Sequence, residues 1–461
     1  LDKLNHYSGD IRFTPIQVFE EGKSLCFAIP TLSTAMTTFN FKNITQLLSM
    51  MGKGLKSDEI SSLLADNKVN ARAFLPRGTN AIGFILAASK HKIPFKIFNQ
   101  NYIIFGYGTG SSIFNSSITD QESAVGVRLA KSKVDTNRLL KISGFPVAEQ
   151  ARVSKIEDAL QIAEKIGFPL VLKPELEEQG RGVFANITNE VELKECFEQA
   201  SESYGHLILE RFVTGFSYRV QIHDGKVIGA WKMNPPFVIG DGKLSVGELI
   251  DIENAKPDRN TINGSMKPIP LDEVTSKNLR KLGRTLKSIP SIGEKVTLAE
   301  TSNESRGGTS ENFFQSLHPK NAELCADAAK TLGLKIAGVD IVSEDGSKQW
   351  RENNTIICEI NSQPELGDFN SYPHLYQGIL EKIPKSHVFV KLNVSNKYEM
   401  INQNVFNKAK SKITITCTPS YLLNHGCPTQ YFDEIFFEND VSVEEQKKIK
   451  AIIFSVPSHR P

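Results

Sequence analysis

Two short apolar stretches carry oxygen-bearing side chains: AGVDIV holds Asp340, and IICEINSQP holds Glu359 and Asn361. Successive side chains of a strand point to opposite faces, so Ile357, Glu359 and Asn361 are expected on one face and Cys358 and Ile360 on the other. If the two stretches are neighbouring strands, Asp, Glu and Asn meet. Hard oxygen donors of that kind suit Mg2+, which keeps waters and phosphate oxygens as further ligands. Any one of the three is better explained as an ordinary polar residue on a strand; three together favour a metal.

A metal of this type calls for a phosphate partner. Lys133 opens a helical stretch and Lys173 closes the apolar LVLKP, so both can reach an anion, although each alone is better explained as a solvated surface lysine. Gly180-Arg181-Gly182 can form a flexible loop that offers backbone N–H groups and one guanidinium to phosphates. Two glycines by themselves also suit an ordinary turn. LILERFV supplies an apolar strand edge with Glu210, suitable for an adenine, although taken singly a buried strand is the commoner explanation. No GxxxxGK[ST] occurs, and no GxGxxG opens a helix after a strand, so the common nucleotide loops are excluded.

The elements that must hold these residues are legible from periodicity. Residues 123–143 have helical spacing and end at Gly144; residues 156–166 form an amphipathic helix closed by Gly167. A strand at LVLKP, a helix over 190–204 and a strand at LILERFV follow. SYRVQIH and KVIGAWKM flank Asp224-Gly225, a hairpin signal. Residues 242–300 are a mixed stretch punctuated by Pro and Gly. A helix over 319–333 precedes the two strands with the acidic residues, which flank a polar loop at 344–354. Residues 1–120 read as a first domain with a helix-then-strand rhythm, and about 386–461 changes character again.

Bulk composition sets outer limits. The 461 residues exceed one ordinary core, and 54 Lys plus Arg against 52 Asp plus Glu give no general pull toward nucleic acid or an anionic membrane. Six cysteines lie scattered without a C-x-x-C pair, which fits reduced thiols. No apolar run approaches a membrane span, and LDKLNHYSGD lacks a signal-peptide core, so a cytoplasmic protein is expected.

In order and spacing, residues from about 80 to 385 resemble the ATP-grasp carboxylate–amine ligases. The nearest likeness is to the ATP-grasp portion of cyanophycin synthetases and the glutathione-synthetase half of bifunctional glutathione enzymes. The stretches that carry it are AVGVRLAKSKVDTNRLLKISGFPV, IAEKIGFPLVLKPELEEQGRGV, LILERFVTGFSYRVQIHDGKVIGAWK, VIGDGKLSVGELID, SNESRGGTSENF, AGVDIV and CEINSQP. The resemblance implies an α/β (α+β) ATP-grasp fold at 121–385, with a nucleotide lid at about 130–220. It is preceded by a pre-ATP-grasp-like domain at 1–120 and followed by a C-terminal extension at 386–461.

The resemblance also implies roles. Lys133 and Lys173 match the lysines on the α- and β-phosphates, and Gly180, Arg181 and Gly182 the loop that closes over them. Glu210 with the backbone of Phe212 and Val213 matches the adenine clamp, and Ser217 stands at the ribose position. Asp340, Glu359 and Asn361 match the ligands of two Mg2+ ions, with Glu359 bridging. Arg219 and Lys232 match basic positions near the reacting groups; Asn303, Ser305, Arg306, Gly307 and Gly308 match a loop facing the γ-phosphate and acyl group. The implied reaction uses ATP to join an amino-acid or peptide carboxylate to an amine through an acyl phosphate. No nucleic-acid or membrane partner is implied, and a homodimer is an open expectation.

Two departures matter. Ser217 replaces the family's acidic ribose ligand. Ala299 stands where relatives usually carry an arginine, while Arg306 replaces a threonine and could return the lost charge. A catalytically silent nucleotide-binding homologue, and a phosphorylating enzyme that makes no amide, therefore stay open beside the ligase.

Overall fold

The computed structural model describes residues 17–21, 24–28, 34–52, 57–175, 182–260, 266–302, 304–381, 388–397, 409–425, 427 and 432–454. They belong to two compact units, one of residues 121–364 and one of residues 1–120 with 365–461.

The 121–364 unit opens with two helices, α1 (Ala124–Ala130) and α2 (Lys133–Ile142). The single helix expected over 123–143 is thus two. The break is local chemistry: the Ser132 hydroxyl accepts from the N–H of Asp135 and donates to its carboxylate, starting a new helix. Lys133 thereby becomes the first residue of α2.

Next come β1 (Gln150–Val153), α3 (Ile156–Ile166), β2 (Leu170–Pro174), β3 (Phe184–Ile187), α4 (Glu190–Ser203) and β4 (Leu207–Arg211). The strands form an antiparallel sheet in the order β1-β4-β2-β3. Alternation sorts its faces. Leu170, Leu172, Leu207 and Leu209 are all buried with Ala159 and Ala163 of α3 and Leu193 and Phe197 of α4. Lys173 and Glu210, one residue out of phase, are left on the other face.

A second antiparallel sheet follows. Its strands are β5 (Phe216–His223), β6 (Lys226–Asn234), β9 (Thr309–Asn312), β10 (Ile336–Ser343) and β11 (Ile356–Asn361), in the order β9-β6-β5-β10-β11. Between β6 and β9 lie the strand pair β7 (Phe237–Ile239) and β8 (Lys295–Thr297), with helices α5 (Val246–Asn254) and α6 (Glu273–Lys281). Asp224 and Gly225 turn the β5–β6 hairpin with φ of 49° and 73°, the left-handed pair that such a two-residue turn requires. Helix α7 (Pro319–Thr331) buries Cys325, Ala328 and Ala329 against Val220, Ile222, Val339 and Ile341 of the sheet. The opposite phase of β5 and β10 is left for chemistry.

In the other unit, helix Thr79–Lys90 packs through Phe84 on Phe114 and Tyr376, with ring centroids 4.9 and 5.0 Å apart. A separate parallel sheet there has the order Lys412–Cys417, Phe389–Val394, Glu434–Phe437.

Candidate active site

Cross-strand register assembles the acidic residues. Arg219 of β5 stands opposite Asp340 of β10, and Asp340 opposite Glu359 of β11; Gly338 pairs with Asn361. Directly opposed residues share a face, so Arg219, Asp340, Glu359 and Asn361 do. Ser217, in phase with Arg219 and opposite Val342, joins them.

One expected feature of β11 is corrected. The register slips between Asp340 and Ile341, so that Asp340 faces Glu359 but Ile341 faces Ile357. Cys358 is the extra residue of a β-bulge, which resets the alternation. Ile357 therefore turns into the core with Ile360, at 2% and 0% exposure, instead of sharing a face with Glu359. Cys358 is exposed.

The first sheet is tied to this row through Gln150, which pairs with Glu210 and donates to the Lys133 carbonyl at 3.3 Å. Lys173 Nζ lies 2.7 Å from Glu210 Oε1, with both side chains largely buried. Burial opposes the lysine's charge, but Glu210 outweighs it and the ammonium pKa is raised above the ordinary lysine value. Glu359 adds to that rise. From α2, Lys133 Nζ stands 3.8 Å from Glu359. Arg219 holds Asp340 with two hydrogen bonds, one of 2.9 Å from Nη2 to Oδ2. Asp340, against the cost of burial, raises the guanidinium pKa further still. Every cation of this group thus stands beside a carboxylate.

Other expected positions lie elsewhere. Lys232 is paired with Tyr218 while Arg219 is paired with Trp231, so Lys232 belongs to the opposite face, where its ammonium sits 3.6 Å from the Phe216 ring centroid. One residue of phase separates it from the acidic row. Phe212 follows β4 and donates its N–H to the Pro169 carbonyl at 3.0 Å, and Val213 comes next in the chain. Gly182 has a φ of 67°, and a Cβ there would come within 2.5 Å of the Tyr204 ring. Gly180, Arg181 and Asn303 lie outside the described residues, and Ser305 is described only in its backbone, within the turn Glu304–Arg306. Gly307 and Gly308 are part of the turn that follows, and Gly308 is buried.

Two domain models match the chain: carbamoyl-phosphate synthase L chain, ATP binding domain, at residues 132–223, and RimK-like ATP-grasp domain at residues 297–383. The chain carries an ATP-grasp domain. Cyanophycin synthetase from a Nostoc species is 33% identical over 290 residues, which is 62% of this chain and 32% of that protein. The glutathione biosynthesis bifunctional protein of Clostridium perfringens is 29% identical over 293 residues, 61% of this chain and 37% of that one. This ATP-grasp chain therefore spans about a third of the length of the curated relatives it matches. Among solved structures, a bifunctional glutathione synthetase from Pasteurella multocida is similar at 22% identity and a TM-score of 0.47, covering 66% of this chain and 43% of that one. Among the described residues no helix is long and apolar enough to cross a membrane.

Several neighbours of the ATP-grasp site carried no signal in the sequence. Glu304 acts on Arg219. Lys281 of α6 lies 3.1 Å from both Glu192 of α4 and Glu300, linking the lid-side helix to the segment that leads into the 304–308 turn. Asp272, the N-cap of α6, takes the Arg306 guanidinium at 2.7 and 2.8 Å. Arg306 is thus already matched by a carboxylate, and Ala299 is buried, with 2% exposure.

The Asp272 contact predicts a pH effect. Burial pushes its carboxyl up, but Arg306 and the Thr275 N–H more than offset this, and its pKa lies below the ordinary value. A depressed carboxylate stabilises the fold above its unfolded pKa and loses that contribution as pH falls through the folded one. Asp272→Asn, which keeps the cap, should therefore melt about 2 °C below wild type at neutral pH. The gap should narrow as pH falls below about 4. Melting curves at pH 7 and pH 3 check both points, and an equal gap at the two would refute the assignment.

Proposed function

We propose that residues 121–385 form an ADP-forming carbon–nitrogen ligase that joins an amino-acid or peptide carboxylate to an amine. One observation carries the reading: Lys133, Lys173 and Arg219 stand against Glu359, Glu210 and Asp340, three cations matched by three carboxylates in one site. A nucleoside triphosphate with divalent cations can enter such a site by exchange of partners. Lys133 and Arg219 turn to phosphate oxygens and Glu359 and Asp340 to metal, while Lys173 can donate to phosphate and still keep Glu210, so no unmatched charge is buried. The two domain models that match this chain, the RimK-like one to residue 383, support the same reading.

Asp340, Glu359 and Asn361 are hard oxygen donors on one sheet face and fit Mg2+; our reading assigns two ions to them. Bound there, Mg2+ would neutralise charge on the phosphoryl oxygens during transfer. Lys133 and the N-terminus of α2 suit the phosphates together. Lys173 binds them from the lid side, Gly180, Arg181 and Gly182 cover them, Glu210, Phe212 and Val213 receive the adenine, and Ser217 the ribose.

Phosphoryl transfer asks the protein for alignment and compensated charge more than for covalent help. A carboxylate oxygen of the acid bonds to the γ-phosphorus as the bond to ADP breaks, giving an acyl phosphate. The amine nitrogen then bonds to the acyl carbon, the carbon–oxygen bond to phosphate breaks, and the amine releases a proton to water. Arg219 balances the phosphoryl group, and the 303–308 loop meets the acyl group. The proposal places the protein in the cytoplasm, as a possible homodimer, without nucleic-acid or membrane partners.

A second reading, a silent nucleotide-binding homologue, is favoured by the buried Ala299 and by the engagement of Arg306 with Asp272. ADP release with amino-acid and dipeptide mixtures separates the two. ADP with a new amide is the expected result. ATP binding without turnover supports the silent homologue, and ADP with a stable phosphorylated acid supports a kinase-like enzyme.

A further inference from the structure

The residues between β7 and β8 include a buried arginine that the ligase reading leaves without a role. Arg259, in the short helix Pro257–Asn260, has a side chain only 2% exposed. It donates to the Glu253 carboxylate at 3.2 Å, the Lys267 carbonyl at 2.7 Å and the Gly307 carbonyl at 3.0 Å. A cation buried to this degree is costly unless its donors are satisfied, so the three oxygens and the guanidinium fix one another.

The turn at Gly307 is braced from further sides. Asn254 exchanges two hydrogen bonds with the backbone of Ile269, at 2.9 and 2.7 Å. Ile269 lies against Gly307, where an added Cβ would come 2.5 Å from its side chain and 2.9 Å from its Cα, and φ is +84°. Asp272 holds the preceding Arg306. The turn leads directly into β9, whose Thr309 pairs with Asn234 of β6 in the sheet that carries the acidic row, and the charge of Glu304 is among those that raise the Arg219 pKa. In a trans peptide the C=O of Gly307 and the N–H of Gly308 point opposite ways in one plane. Arg259, by holding the carbonyl, sets the direction of that N–H.

We propose that Arg259 is a positioning residue: through the Gly307 carbonyl it orients the 306–308 turn toward the acyl phosphate, and so governs transfer to the amine and not nucleotide binding. The proposal rests on the ligase reading. In that step the amine nitrogen bonds to the acyl carbon and the carbon–oxygen bond to phosphate breaks. Phosphate takes the electron pair and the amine proton goes to water. A misdirected turn leaves the acyl phosphate to be hydrolysed instead.

The test uses the full chain with Arg259→Gln and Arg259→Lys, an amino-acid mixture as acid and acceptor, and ATP. Amide formed per ADP should fall about 100-fold in both variants, because lysine cannot span three acceptors. The ATP dissociation constant should stay within about twofold, a split that general loss of structure would not produce. A wild-type ratio of amide to ADP, or a parallel loss of ATP binding, overturns the proposal. A second readout needs no activity. Trypsin cleavage after Arg306 should be about tenfold faster in Arg259→Gln, through local opening of the turn. If the wild-type chain makes no amide at all, the ligase reading fails, and the trypsin comparison alone decides the bracing: an unchanged rate overturns it. Should Arg259→Gln fail to fold, Glu253→Gln keeps the guanidinium and removes one partner, with the same direction and smaller size expected.

Discussion

Glu359→Gln lowers ADP formation about 1,000-fold while the melting temperature stays within about 2 °C of wild type. The loss follows from the register that sets Glu359 beside Asp340. An amide of the same shape removes the negative charge that a divalent cation needs and leaves the strand intact. The small change in melting follows from two opposed terms. Glu359 attracts Lys133 at 3.8 Å, a long contact to a carboxylate that is 40% exposed. It also repels Asp340 directly opposite, and like charges across a strand pair are unfavourable. Steady-state ADP release and a thermal melt, run on the same preparation, check both halves. More than a tenth of wild-type turnover would remove Glu359 from the metal-binding set.

Lys173→Met weakens ATP binding about 100-fold and also destabilises the ligand-free protein by about 3 kcal/mol. Both effects come from one geometry, an ammonium 2.7 Å from Glu210 with 12% and 15% of the two side chains exposed. Without the lysine, Glu210 is a buried carboxylate with its partner gone. Adding Glu210→Gln separates the roles. The double variant should recover most of the stability, since an amide is far less costly to bury than an unpaired charge, but not the affinity for ATP. Calorimetric titration with ATP and denaturant unfolding of all four proteins complete the cycle. Recovery of ATP binding in the double variant would show that Lys173 serves Glu210 and not phosphate.

Much of this site is legible in the amino-acid sequence. LVLKP sends Leu170 and Leu172 into a core and leaves Lys173 outside it; the same alternation in LILER leaves Glu210 outside. Asp224-Gly225 marks its hairpin. The order of the stretches points to an ATP-grasp fold, and the domain models match the same region. The helix break at Ser132 is also in principle readable, since a serine three residues before its capped N–H is a local signal; the apolar spacing across it masks the cap.

What the sequence by itself determined is local: which residues are apolar at which period, where a chain can turn, and which side chains could bind phosphate or metal. Only the tertiary structure decided which of them meet. The bulge at Cys358 exists because β11 must keep register with β10, so it turned Ile357 inward without any mark in IICEINSQP itself. Lys232 missed the acidic face because its phase is set by pairing with Tyr218. Arg306 found Asp272 across 34 residues, and Arg259 found Gly307 across 48. Such contacts carry no periodic signature. They are selected by the positions of packed elements and by the cost of leaving a buried charge unmatched, and both are properties of the folded chain.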